Sequence, residues 1–128
     1  MKQARILIVE DEPALLEALK LIVGSNHEVI TAEDGEEALL KAQNEKPNLI
    51  LLDIFLPKLD GFQVLEKLKG DKKLAKLPVV VLSNCAGDAD KKKAKELGAL
   101  DFWVKADLDL GQIDRLVVGA LGGHSANS

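Results

Sequence analysis

The chain is short of cysteine, of long apolar runs and of basic charge. Cys85 is the only cysteine in 128 residues, so no disulfide can form within the chain. With no cysteine partner, it reads as a packed or loop thiol and not as a redox centre. No apolar run approaches the ~20 residues that a helix needs to cross a bilayer. Met1 to Arg5 leads straight into an aliphatic stretch and leaves no room for a signal peptide. Lys plus Arg number 17 against 21 Asp plus Glu, a formal charge of −4, which argues against nucleic acid as the main partner because a phosphate backbone attracts basic surfaces. Repeats and low-complexity tracts are absent. A reducing cytoplasm is the simplest home for such a chain.

What is present is a core. Hydrophobic residues make up 47% of the sequence, enough to exclude disorder and to build one domain able to fold alone. Short aliphatic runs alternate with amphipathic stretches. Arg5-Ile6-Leu7-Ile8-Val9 reads as a buried strand, and Glu10-Asp11-Glu12-Pro13 opens a helix whose apolar residues (Leu15, Leu16, Leu19, Ile22, Val23) recur at helical spacing up to Gly24. Glu28 to Thr31 is a second strand. Asp34-Gly35 precedes a helix with Ala38, Leu39 and Ala42 on one face. The third strand, Leu49 to Asp53, is a run of aliphatics ending on a carboxylate, with Pro57 four residues later. After Asp60-Gly61 comes a helix with Phe62, Leu65 and Leu68. Val79 to Leu82 is the fourth strand and ends on Ser83-Asn84. A lysine-rich helix runs from Asp88 to Gly98, and the fifth strand, Asp101 to Val104, ends on Lys105. Asp109 should cap a last helix carrying Ile113, Leu116, Val117, Ala120 and Leu121, stopped by Gly122-Gly123. His124 to Ser128 reads as a frayed polar tail.

Strands joined by helical crossovers run parallel, and the crossovers are right-handed. All strand C-termini then share one edge, where the ligand crevice of an open α/β sheet lies. Glu10, Asp11 and Asp53, Ser83 and Lys105 all fall on that edge. Carboxylates gathered there repel one another unless a divalent cation with oxygen ligands holds them, which suits Mg²⁺. Carboxylates, Mg²⁺, a hydroxyl and an ammonium together describe a phosphoryl-transfer site. Singly, each residue has an ordinary reading: Asp53 or Ser83 as a helix cap, the acids as complements of a helix dipole, Lys105 as a solvated lysine. That reading must hold separately at four strand ends, and the coincidence argues against it. His27, His124 and the lysines at 91 to 95 read as surface residues. Phe102 and Trp103 alternate across the last strand, so one of them should pack inward.

The chain resembles the receiver domains of bacterial two-component response regulators. The resemblance runs from Lys2 to about Leu121. It rests on Glu10-Asp11, on Ala32 with Gly35-Glu36-Glu37-Ala38-Leu39, on Asp53 with Pro57 and Asp60-Gly61, on Ser83, on Leu97-Gly98-Ala99, and on Phe102 before Lys105. It implies a doubly wound five-stranded parallel sheet of order 2-1-3-4-5 with five helices, spanning residues 1–122 before a tail of 123–128. It further implies that Asp53 is the phosphoacceptor. Glu10, Asp11, Asp53 and the Phe55 carbonyl would hold Mg²⁺, while Ser83 and Lys105 would bind phosphoryl oxygens. Phe102 takes the place of the family's switch aromatic. The donor would be a sensor histidine kinase or a phosphotransfer protein. The output face would be the fourth helix, fifth strand and fifth helix, acting on a downstream protein. The chain stops soon after its last helix, without a DNA-binding or catalytic output domain. The expectation is therefore signalling by protein–protein contact or phosphorelay, as a monomer or a phosphorylation-dependent dimer, with no direct nucleic-acid or membrane binding.

Three departures from the family pattern carry expectations. Ala106 stands where proline is usual, so a trans Lys105–Ala106 bond and an altered loop are expected, since a non-proline cis bond costs ~3 kcal/mol. Phe55 and Asn84 flank the path of attacking water, and a bulky Phe55 should prolong the phosphorylated state. Phe102 lacks the hydroxyl of the usual tyrosine and should sit inward even without phosphate. Three other functions compete. A phosphate-independent interaction module conflicts with the complete set of acids, Ser83 and Lys105. An aspartyl-phosphate hydrolase would need a second Asp where Phe55 stands. A flavodoxin-like nucleotide binder would need a glycine-rich turn where Glu10-Asp11-Glu12-Pro13 stands.

Overall fold

The computed structural model describes residues 4–84 and 87–126. Cys85 lies outside the described residues. Strands β1 (Arg5–Val9), β2 (Glu28–Ala32), β3 (Leu49–Asp53), β4 (Val79–Ser83) and β5 (Asp101–Val104) alternate with helices α1 (Pro13–Gly24), α2 (Gly35–Glu45), α3 (Gly61–Gly70), α4 (Asp88–Glu96) and α5 (Ile113–Leu121). The strands form one parallel sheet of order β2-β1-β3-β4-β5. This is the doubly wound arrangement expected from the sequence.

Period-2 alternation sorts the strand side chains onto two covered faces. Leu7, Val9, Ile50, Leu52, Val79, Val81 and Phe102 pack with Ala38 and Ala42 of α2, Val64, Leu65 and Leu68 of α3, and Ala94 of α4. Ile6, Ile8, Leu49, Leu51, Val80, Leu82 and Trp103 pack with Leu16, Leu19 and Val23 of α1 and Ile113, Val117 and Ala120 of α5. Because both faces are covered, Phe102 and Trp103 are both buried, at 8% and 5% exposure. The expectation that one of them packs inward was too narrow. Phe102 faces the α2–α3–α4 layer and Trp103 the α1–α5 layer.

Local signals set the helix ends. Asp34 caps α2 by accepting the Glu37 N–H. Asp60 caps α3 in a reciprocal box with Gln63. Asp109 caps a 3₁₀ turn (Leu110–Gln112) that feeds α5. Lysines 91, 92, 93 and 95 are exposed, and Ala94 is the one buried residue of α4 among those described. Lys93 lies over the Phe62 ring, 4.4 Å from its centroid, a cation–π contact joining α4 to α3.

Two expectations fail. His27 is buried at 1% and is not a surface residue. The chain reverses there: His27 N–H donates to the Val23 carbonyl and Glu28 N–H to Ala4, which leaves the ring inside the α1–β2 turn. His124, by contrast, is exposed. The described part of the tail is not frayed. Gly123 takes φ +81°, the His124 N–H returns to the Gly119 carbonyl, and the Ala126 N–H donates to Asp101 Oδ2 at 2.8 Å. Asp101 is the reason. It is a buried carboxylate that also accepts the Trp103 indole N–H at 2.9 Å and the Phe102 amide at 2.9 Å. No cis peptide occurs among the described residues, so the Lys105–Ala106 bond is trans, and Lys105–Asp107 forms a short 3₁₀ turn.

Candidate functional site

The parallel register aligns the strand ends. Asp53 closes β3 opposite Leu82, and Ser83 closes β4 opposite Val104. Glu10 follows β1 directly, its N–H donated to the Ala32 carbonyl of β2. Lys105 follows β5. Glu10 (0% exposed), Asp53 (2%) and Ser83 (0%) are therefore polar groups carried to the sheet edge inside the fold. Asp11 lies beside them, exposed.

Glu10, Asp11 and Asp53 each bring a carboxylate oxygen within 4.8 Å of the others. Lys105 Nζ reaches into the same space. It stands 2.7 Å from Glu10 Oε1, 3.1 Å from Asp53 Oδ2 and 3.8 Å from Glu12 Oε2. The second oxygen of each buried acid is held by backbone: Glu10 Oε2 accepts the Glu12 N–H at 3.0 Å, and Asp53 Oδ1 accepts the Phe55 N–H at 3.1 Å. Both carboxylates are thus fixed in orientation from two sides.

The loop after β3 is held as firmly. Ile54 N–H donates to Leu82 O, and Gly61 N–H to Ile54 O at 2.7 Å. A Cβ on Gly61 would stand 2.4 Å from Asp53 O and 2.5 Å from Ile54 Cα, so only glycine lets α3 start against the end of β3. Lys58 turns the loop at φ 69°, and its ammonium lies 3.6 Å from the α2 cap Asp34. Phe55 is 60% exposed at the mouth of the site. Asn84 is exposed as well.

The charges do not balance. Among the described residues, three clustered carboxylates and Glu12 face one ammonium. Burial, with repulsion from Asp53, pushes the Glu10 carboxyl above the usual range against the pull of Lys105 and the Glu12 N–H. Burial works against the Lys105 ammonium, but the contacts with Glu10 and Asp53 outweigh it and hold Lys105 above the ordinary lysine value. Burial dominates the Glu10 shift, and the clustered carboxylates together dominate the Lys105 shift. Glu10 Oε1 is buried and has no hydrogen-bond partner among the described residues apart from this ion pair. An oxygen-ligated divalent cation fits such a donor set.

The structure thus brings together Glu10, Asp11, Asp53 and Lys105, with Ser83 at the neighbouring strand end. Phe55 contributes its N–H to Asp53. Phe102 sits further back, beneath α4, where it lines a groove of about 470 Å³ between α4 and β5 with Lys91, Lys95, Leu100 and Ser125. Glu10, Asp11, Glu12 and Asp53 do not line that groove, whereas Asp101 does. Sequence reasoning missed Glu12 as a member of the site. It was read only as a helix-dipole complement, although its place directly after Glu10-Asp11 was the available signal.

Comparison with known proteins gives one family. The response regulator receiver domain family matches residues 6–115. The gliding motility regulatory protein of Myxococcus xanthus is 42% identical over 120 residues, covering 90% of this chain and 15% of that protein. Protein PilH of Pseudomonas aeruginosa is 36% identical over 103 residues, covering 80% of this chain and 85% of that one. The chain thus spans a small part of the first of these relatives and most of the second. Among solved structures, the phosphorylated cyanobacterial phytochrome response regulator RcpA matches with TM-score 0.76 and 35% identity, over 91% of this chain and 90% of that chain. The Mn²⁺-bound form of response regulator Rcp1 matches with TM-score 0.76 and 32% identity, over 94% and 91%.

Proposed function

The chain belongs to the response regulator receiver domain family, and from that premise we propose that it is a phosphorylation-driven switch whose phosphoacceptor is Asp53. Receiver domains are signalling switches of two-component systems, not classical enzymes. In this reading the chain catalyses only its own phosphorylation and dephosphorylation. Residues 1–122 form the receiver, and 123–128 its tail.

The observation that carries the reading is the buried pair at the sheet edge: Asp53 Oδ2 on Lys105 Nζ at 3.1 Å, inside a three-carboxylate group. A phosphohistidine of a sensor kinase or phosphotransfer protein presents its phosphorus to Asp53. An Asp53 oxygen–phosphorus bond forms as the nitrogen–phosphorus bond breaks, and imidazole leaves. Lys105 moves from carboxylate to phosphoryl oxygen, and Ser83 takes another. Glu10, Asp11, Asp53 and the Phe55 carbonyl would hold Mg²⁺, which supplies charge neutralisation when bound. The manganese-bound relative supports a divalent cation here. The phosphoryl group adds roughly −1.5 to −2 of charge. It biases the fold only by its different affinity for two states. Phe102, buried under α4, would transmit that bias to a protein partner at α4, β5 and α5. Cytoplasmic residence goes with such a partner.

The test is intact mass after incubation with Mg²⁺ and acetyl phosphate, beside Asp53→Ala. The expected result is a gain of one phosphoryl group that needs both the metal and Asp53. A folded chain that binds Mg²⁺ yet gains nothing from either acetyl phosphate or a phosphorylated histidine donor would overturn the reading.

A further inference from the structure

Glu12 stands at the N-cap of α1, yet its side chain makes no capping hydrogen bond. Its carboxylate is instead turned toward the site, with Oε2 3.8 Å from Lys105 Nζ, and it is 55% exposed. Its backbone is pinned: the N–H is donated to Glu10 Oε2, and the carbonyl accepts the Leu16 N–H. Glu12 is not one of the three clustered carboxylates. Lys105 is already matched by Glu10 and Asp53 at shorter range, so the Glu12 charge is left largely uncompensated at the mouth.

A donor must bring its anionic oxygens to Lys105 past this carboxylate. We propose that Glu12 is a specificity-determining residue that selects phosphodonors by charge. It disfavours donors that arrive as dianions and favours those whose leaving group arrives protonated on nitrogen. The inference rests on the phosphoacceptor reading above. The chemistry balances for both donor classes. With acetyl phosphate, the Asp53 oxygen–phosphorus bond forms as the acyl oxygen–phosphorus bond breaks, and acetate leaves with the bonding pair. With phosphoramidate, the nitrogen–phosphorus bond breaks and ammonia leaves, its nitrogen already protonated in the zwitterion. Phosphoramidate thus carries one negative charge fewer than acetyl phosphate as it passes Glu12.

The experiment measures phosphorylation rates of the full chain by intact mass with each donor, for wild type, Glu12→Gln and Glu12→Asp. Glu12 is exposed and caps nothing, so both variants should fold as the parent does. Glu12→Gln should raise the acetyl phosphate rate relative to the phosphoramidate rate by about three- to tenfold at low salt, the size of one nearby screened charge. The gain should shrink as salt is added. Glu12→Asp should keep the parental ratio. An unchanged ratio in Glu12→Gln overturns the proposal, and so does an equal change in Glu12→Asp, which would mark shape and not charge. If wild type accepts neither small donor, this inference fails, and the phosphoacceptor reading fails with it only when a phosphorylated histidine donor also leaves Asp53 unmodified.

Discussion

A single ammonium, Lys105 Nζ, lies between two carboxylates that the fold has removed from water. Burying either acid alone would be costly. Holding both against one lysine is tolerable only while that lysine is charged. Removing it exposes the cost. Lys105→Met should destabilise the protein at pH 7 by about 3 kcal/mol, because Glu10 and Asp53 are left buried without their cation. The pH dependence follows from direction. The folded-state pKa of Lys105 lies above 10.5, so its contribution is fully present below 10.5 and is lost as pH rises through the folded value. Chemical denaturation of wild type and variant should therefore show a constant gap from pH 7 to about 10, closing only above that. A gap that closes near neutral pH would place the stabilisation elsewhere. Glu10 acts in the opposite sense. Its carboxyl is raised above 4.5, so ionising it in the fold costs stability as pH rises, which is why a second cation is welcome there.

At the scale of elements, the β3–α3 connection holds the Asp53 end of β3 in place. Gly61 is pressed against Asp53 O and Ile54 Cα, and Gly35 of α2 is pressed as closely against Leu59 of the same loop. A methyl at either glycine must move backbone, not a pliable side chain. Gly61→Ala should cost about 1–3 kcal/mol in urea unfolding through overpacking, and should slow phosphorylation of Asp53 by acetyl phosphate at saturating Mg²⁺. Normal phosphorylation in a destabilised variant would show that the loop, not Asp53, absorbs the shift. These elements were legible in the sequence where composition and spacing agree. The aliphatic runs gave the strands, and Pro13, Asp34 and Asp60-Gly61 marked helix starts that the structure has, while Asp109 caps the 3₁₀ turn before α5, which itself begins behind Gln112 without a side-chain cap. The α3 face was read incompletely, because Val64 is wholly buried beside Leu65; three-residue spacing alone did not include it. His27 was misread because polarity in a turn suggests solvent, whereas the hydrogen bonds of the reversal enclose it.

For the whole molecule, order along the chain carried the most information. Acids after β1 and at the end of β3, a hydroxyl at the end of β4 and a lysine after β5 meet only if the strands are parallel and in register, and parallel crossovers impose that. The side-chain pairing around Lys105 was not legible, since it depends on rotamers and not on period; of Glu12, only its place directly after Glu10-Asp11 could be read. The tail was not legible either. Its anchor is a buried carboxylate, Asp101, whose own sequence neighbourhood reads simply as the start of a strand. That anchor gives the molecule an optical property. Trp103 is its only tryptophan and tyrosine is absent, so emission comes from one indole. The carboxylate that receives this indole's N–H also receives the Ala126 amide, both through Oδ2. The tail is therefore wired to the fluorophore. Deleting residues 124–128, or making Asp101→Asn, should red-shift and dim the emission of the folded protein as water reaches the ring. An unchanged spectrum in the deletion would mean that the tail does not govern this contact. With the shift in hand, any partner that lifts the tail from β5 becomes visible as a change of colour, with no dye attached.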